Sequence, residues 1–109
     1  MTNTIQWHRI GPVEGTDTEG CSPHYLASKA IEALRGSGKY EVFDYGMLMG
    51  HSFIESSDVR ISITKNSPHA SFDGSMCVSA PNGNEHARVR SEVATIIKSK
   101  SLRLDEGFS

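Results

Sequence analysis

Apolar and polar residues alternate most cleanly over Asp58–Lys65. Val59, Ile61 and Ile63 take one side there, and Arg60, Ser62 and Thr64 the other. A period of two is that of a strand with one buried face. Asn66-Ser67-Pro68 follows as a turn. Ser71–Ala80 then alternates again: Phe72, Met76, Val78 and Ala80 face in with Gly74 in the same register, and Asp73, Ser75, Cys77 and Ser79 face out. The two segments predict an antiparallel hairpin. Ile5 and Trp7 alternate with Gln6 and His8, which predicts a strand over Thr4–Ile10. Lys39–Leu48 is rich in Tyr, Val and Phe and reads as a further strand. Gly46 and Gly50 bracket its end, where a bulge or turn fits.

The period lengthens in two other places. After the loop Gly11–Gly20, Leu26, Ala27, Ala30, Ala33 and Leu34 recur at helical spacing, with Ser28, Glu32 and Arg35 opposite. Ser22 suits the cap, Pro23 the first helical position, and Gly36-Ser37-Gly38 the end. The second helical stripe is Val89, Val93, Ile96 and Ile97. Asn82 followed by Glu85 matches a capping box, with Asn84 as a rival cap. His86 and Lys100 lie near the ends of this helix and Arg90 on its flank. Leu102 and Leu104 fit a short terminal strand.

The order is therefore β-α-β-β-β-α, with a final β added by Leu102 and Leu104. It predicts one α+β domain over residues 1–109: an antiparallel sheet of four to five strands with both helices on one face, a ferredoxin-like plait or a similar two-layer fold. From residue 22 onward the α-β-β-β-α order resembles a double-stranded-RNA-binding domain, over about 80 residues. Pro68-His69 followed by Phe72 is similar to that family's loop. The resemblance implies a basic cluster at the start of the second helix, where this chain reads Asn84-Glu85-His86-Ala87. It is one of topology without the family's binding motif. An RNP-like aromatic strand is also missing, so neither RNA-binding family is claimed.

Charge changes the picture in one respect. The 109 residues carry a net charge of −2, where a general nucleic-acid binder would be basic. Residues 85–103 hold Arg88, Arg90, Lys98, Lys100 and Arg103 against Glu85 and Glu92, a net +3 that leaves −5 for the rest. With two cysteines, Cys21 and Cys77, the chain lacks the density of a secreted disulfide scaffold. Its first ten residues are too polar for a secretory core. No apolar run approaches the roughly 20 residues of a membrane helix. The expectation is a cytoplasmic protein with reduced thiols.

Candidate chemistry is sparse. Cys21-x-x-His24 has the spacing of half a zinc site, but no second close pair accompanies it. No serine lies in a nucleophile elbow. Cys77 falls in mid-strand, a packing position, and His86 on an apolar stripe. No cofactor, metal or catalytic residue is predicted. Two readings remain. In the first, the uncovered sheet face, with Arg60, Ser62, Thr64, Ser75 and Ser79, contacts a partner; Phe43 and Tyr45, or alternatively Tyr40, project onto it. The protein is then a small stoichiometric interaction module of the inhibitor, immunity-protein or phage-antagonist type, with a protein partner or a second copy of itself. In the alternative, the protein is a small-ligand or nucleotide- or phosphate-binding protein or an enzyme, with Asn82, Gly83 and Asn84 at a helix N-terminus taking the anion with Arg88 and Arg90.

Overall fold

A computed structural model describes residues 3–46, 50–65 and 74–105. Six strands and two helices run in the order β1 (Thr4–Pro12), α1 (Pro23–Ser37), β2 (Glu41–Asp44), β3 (His51–Ser56), β4 (Val59–Thr64), β5 (Ser75–Ala80), α2 (Gly83–Lys98) and β6 (Leu102–Leu104). The strands form one sheet in the order β2-β3-β4-β5-β1-β6, every neighbouring pair antiparallel. The two-layer α+β architecture is as expected from the pattern. The strand count is six rather than four to five, and the order is not that of a ferredoxin-like plait. β2 to β5 form a meander, and β1 is inserted between β5 and β6.

The extra strand is β3. Its inward positions are His51 and Phe53, while Ile54 lies on the opposite face. A register shift between Ile54 and Ser56 breaks the period. Apolar alternation is therefore absent exactly where a strand exists, and the α-β-β-β-α likeness to an RNA-binding domain fails because four strands separate the helices. The Pro68, His69 and Phe72 positions lie outside the described residues, as do Phe72 and Asp73 of the predicted Ser71–Ala80 strand.

Both helices start where their caps place them. Ser22 accepts a hydrogen bond from the Tyr25 amide, and α1 ends at Gly38 in the left-handed conformation. Asn82 Oδ1 accepts from the Glu85 amide at 2.9 Å. The Glu85 carboxylate turns to Arg88 instead of closing a reciprocal box. The helices pack on each other and on the sheet face formed by Phe53, Ile61, Ile63, Met76, Val78 and Ala80. The alanines of α1 let it lie close to that face: Ala27 and Ala30 are fully buried. Val89, Val93 and Ile97 of α2 complete the core.

The Gly11–Gly20 loop is tied down through Thr18. Its hydroxyl accepts from the Val13 amide at 3.1 Å and donates to the Ser101 carbonyl at 2.7 Å, bridging the loop to the turn before β6. Gly74, at φ +71°, sits so close to Pro23 that a Cβ there would collide with its backbone. Thus the start of β5 and the start of α1 can meet only through a glycine.

Ile61 lies at the centre of the sheet, paired with Phe53 and Val78 and with no exposed surface. Replacing it by alanine removes buried methylene groups and leaves a cavity, at a cost of about 2–5 kcal/mol. The expected outcome is a lower urea midpoint with an unchanged slope. A midpoint unchanged within error would show that the register is wrong.

Candidate functional site

Strand register sorts the outward side chains into rows. Cross-strand partners share a face, so Phe43, Ser52, Ser62, Cys77 and Trp7 run in line from β2 to β1. The next row is Glu41, Ile54, Arg60, Ser79 and Ile5. A third brings Thr64 beside Ser75 and then Arg9. The helices cover the other face, so these rows line the open one.

The shape of this face follows from side-chain size. Phe43 and Trp7 stand at the two sides, with two serines and a cysteine between them. With strands spaced about 4.8 Å apart, the bulky side chains are roughly 19 Å apart across a floor of short ones. Ile5, Phe43 and Tyr45 are 55%, 40% and 62% exposed, large apolar groups left open to solvent. Ser52 and Ser62 touch through their hydroxyls at 3.2 Å. At one end of the floor, Tyr45, Ser52, Ser62 and Thr64 line a shallow cleft of about 270 Å³. Arg60 rises from the floor, exposed. Among the described residues it has no ion-pair partner.

Of the residues expected on this face, Arg60, Ser62, Thr64 and Ser79 are at least partly accessible. Ser75 is not: it has no exposed surface, and its hydroxyl has no hydrogen-bond partner among the described residues. Of the aromatic residues expected there, Phe43 and Tyr45 are exposed on this side. Tyr40 is instead buried toward α2, its hydroxyl donating to Glu92 at 2.9 Å; burial first, and then this bond, holds the phenol protonated well above its usual range. Trp7, Ile5 and Ile54 were not singled out from the sequence. The alternation over Thr4–Ile10 contains the signal for the first two, but which side is open depends on where the helices sit.

The residues of the helix-terminus reading are dispersed among other contacts. Asn82, Gly83 and Asn84 are exposed at the start of α2. The Asn82 side chain is used as the cap. The Arg88 guanidinium meets Glu55 at 2.7 Å, Glu85 at 3.2 Å and Glu92 at 3.4 Å, which surrounds its charge with three carboxylates. Arg90 points toward the carbonyls of Leu104 and Asp105. Neither cation is directed at the Asn82–Asn84 amides. Cys21 and His24 gather no third ligand: among the described residues no group of three or more metal-binding side chains occurs. Nor, among these residues, is any helix long and apolar enough to cross a membrane.

Two other polar arrangements were not foreseen. His51, 6% exposed, faces Asp44 across β2 and β3 with Nε2 3.3 Å from the carboxylate. Burial lowers the imidazole pKa more than Asp44 raises it, so the pair is a neutral imidazole beside a carboxylate. His8 and His86 lie together under the sheet, rings 5.4 Å apart.

No protein-family model, curated protein or solved structure matches the chain.

Cys77 offers a direct probe of the open face. It is half-buried between Ser62 and Trp7, and burial pushes its thiol pKa up. At neutral pH the reactive thiolate is therefore scarce. In a Cys21→Ser variant, alkylation of Cys77 at pH 7.5 should run several-fold slower than that of glutathione and accelerate as pH rises, by mass spectrometry. Labelling as fast as glutathione would show that the thiol is not held in this row.

Proposed function

We propose that the protein is a small stoichiometric binding module, of the inhibitor, immunity or antagonist type, that docks another protein on its open sheet face. The supporting observation is the arrangement of that face: exposed Ile5, Phe43 and Tyr45 around a floor of Ser52, Ser62, Cys77 and Ser79, with Arg60 projecting from it. The exposed Ile5, Phe43 and Tyr45 stand at the two sides of the face, with Ile54 and Arg60 the larger side chains between them. An α-helix, about 10–12 Å across, fits between sides roughly 19 Å apart. The chemistry that completes the site is a convex element, a helix in this reading, presenting apolar side chains to the aromatic sides and a carboxylate to Arg60. Short serine side chains lose little rotamer freedom when covered.

The helix-terminus alternative, a small-ligand or nucleotide-binding protein, has less in its favour, because Arg88 and Arg90 already have partners in the fold. It predicts that phosphate or a nucleotide raises the melting temperature. The docking reading predicts a shift within about 1 °C, well below what a ligand at 100 times its Kd would give. A rise of several degrees restores the alternative.

The docking face is tested with charge variants. The immobilised protein is exposed to native-host extract alongside Arg60→Glu, Ser62→Glu and, on the helical side, Lys98→Glu. A partner bound through the face is retained by the wild type and Lys98→Glu, and lost by at least tenfold with Arg60→Glu and Ser62→Glu, as expected for a misplaced charge in an interface. All variants should keep the melting temperature within a few degrees. Retention by Ser62→Glu would place the contact elsewhere. Sedimentation that showed a dimer abolished by the same two variants would make the partner a second copy of the chain.

A further inference from the structure

Beneath β1 and β6 lies a buried cluster of three nitrogen-bearing side chains. His8, in β1, has no exposed surface. Its Nδ1 is 3.0 Å from the Asp105 carbonyl. A carbonyl only accepts, so Nδ1 holds the proton and Nε2 is a bare lone pair. That Nε2 has no hydrogen-bond partner among the described residues, and neither does Nε2 of His86, 5% exposed in the first turn of α2. Arg90, one turn further along α2, donates to the same Asp105 carbonyl at 3.3 Å and to that of Leu104 at 3.5 Å. The Asp105 amide in turn donates to the Arg9 carbonyl at 2.9 Å. The end of the β6 segment is thus held from β1 by His8 and from α2 by Arg90, through one shared acceptor.

This cluster tolerates no further proton. The titratable and charged groups that act on His8 are Arg90 and His86, both from α2, and both oppose a positive charge. From β5 its cross-strand partner is Met76, which is uncharged. The buried side chains of α1 are apolar. From β6 it meets the Asp105 carbonyl, while the Asp105 carboxylate is turned outward to Arg103. Among the described residues no carboxylate balances the cluster. An imidazolium here would sit buried beside a guanidinium, with its new N–H lacking an acceptor. The same guanidinium argues against a metal ion between the two imidazoles.

We infer that His8, His86 and Arg90 form an acid-sensitive latch on β6, holding the carboxyl-terminal strand against β1 while both imidazoles are neutral and releasing it when one takes a proton. Release is local because β6 is a short edge strand, three residues in register with β1. Detaching its Leu104–Asp105 end opens the His8 side of the cluster to water, while Leu102 belongs to the core. The direction is fixed by linkage. Burial first, then Arg90 and His86, lower the His8 pKa to about 4 in the closed form, against 6.5 when exposed. His86 is lowered by burial and by Arg90. The open form therefore binds protons more readily. The latch is fully closed above pH 6.5 and weakens as pH falls from there toward 4.

Amide exchange, corrected for the intrinsic pH dependence, tests this on the intact chain at pH 7 and pH 5. The expected result is a fall of about tenfold or more in protection of the Asp105 amide at pH 5, with the Val78 amide in β5 unchanged. His8→Asn keeps a donor near the Nδ1 position without a titrating ring, and should abolish most of the pH effect. Should that variant not fold, the wild-type imidazole resonances decide: the His8 or His86 titration must coincide with the loss of Asp105 protection. Equal Asp105 protection at both pH values would overturn the latch. So would an equal loss at Val78, which marks global unfolding, or an imidazole titration separate from the opening.

Discussion

The structure depends on the strict alternation of β4 and β5 and on the register that aligns them. Ile61 opposite Val78 and Ile63 opposite Met76 put every large apolar group of the hairpin on one side. A slip by one residue would exchange the two faces completely. The helices then have one place to bury their stripes, and once they cover it the other face is defined. Arg60, Ser62, Cys77 and Ser79 are left in the open because their neighbours in sequence are needed inside. The candidate site is in this sense the complement of the core.

Electrostatics divides α2 between its sides. Arg88 gathers Glu55, Glu85 and Glu92 on an exposed flank, where ion pairs contribute little individually; of the three, the Glu55 contact joins α2 to β3. Arg90 is half-buried and acts on carbonyls at the end of β6. Of the positive charges over residues 85–103, Arg88 and Arg90 are engaged by the fold, while Lys98, Lys100 and Arg103 lie exposed.

How much of this was legible depends on how local the signal is. Caps are local, so Ser22, Pro23, Gly38 and Asn82 marked the helix ends correctly. β4 and β5 were legible because both faces obey the period. β3 was not, because its inner row begins with a histidine and its outer row includes Ile54, so neither face reads as apolar or polar throughout. The contacts of Arg88 with Glu85 and Glu92 are implicit in spacings of three and four; its contact with Glu55 is not, since it joins residues 33 apart. The trough was half visible. The short polar side chains are legible, but the half-buried Trp7 and the exposed Ile5 depend on β1 lying beside β5 and not at an edge. The burial of Ser75, a member of the outward set by alternation, likewise depends on three-dimensional surroundings that periodicity does not encode.

The central claim is that the open sheet face is where another protein sits, and Cys77 at the middle of its floor reports on that directly. The measurement is the alkylation rate of Cys77 in the free protein and in the complex recovered from native-host extract, with Cys21, before α1, as the internal reference. The account predicts that the complex slows labelling of Cys77 by at least about tenfold, as for a group at a dry interface core, while Cys21 labels at its free rate. Unchanged labelling of Cys77 in a complex that persists throughout the measurement would contradict it.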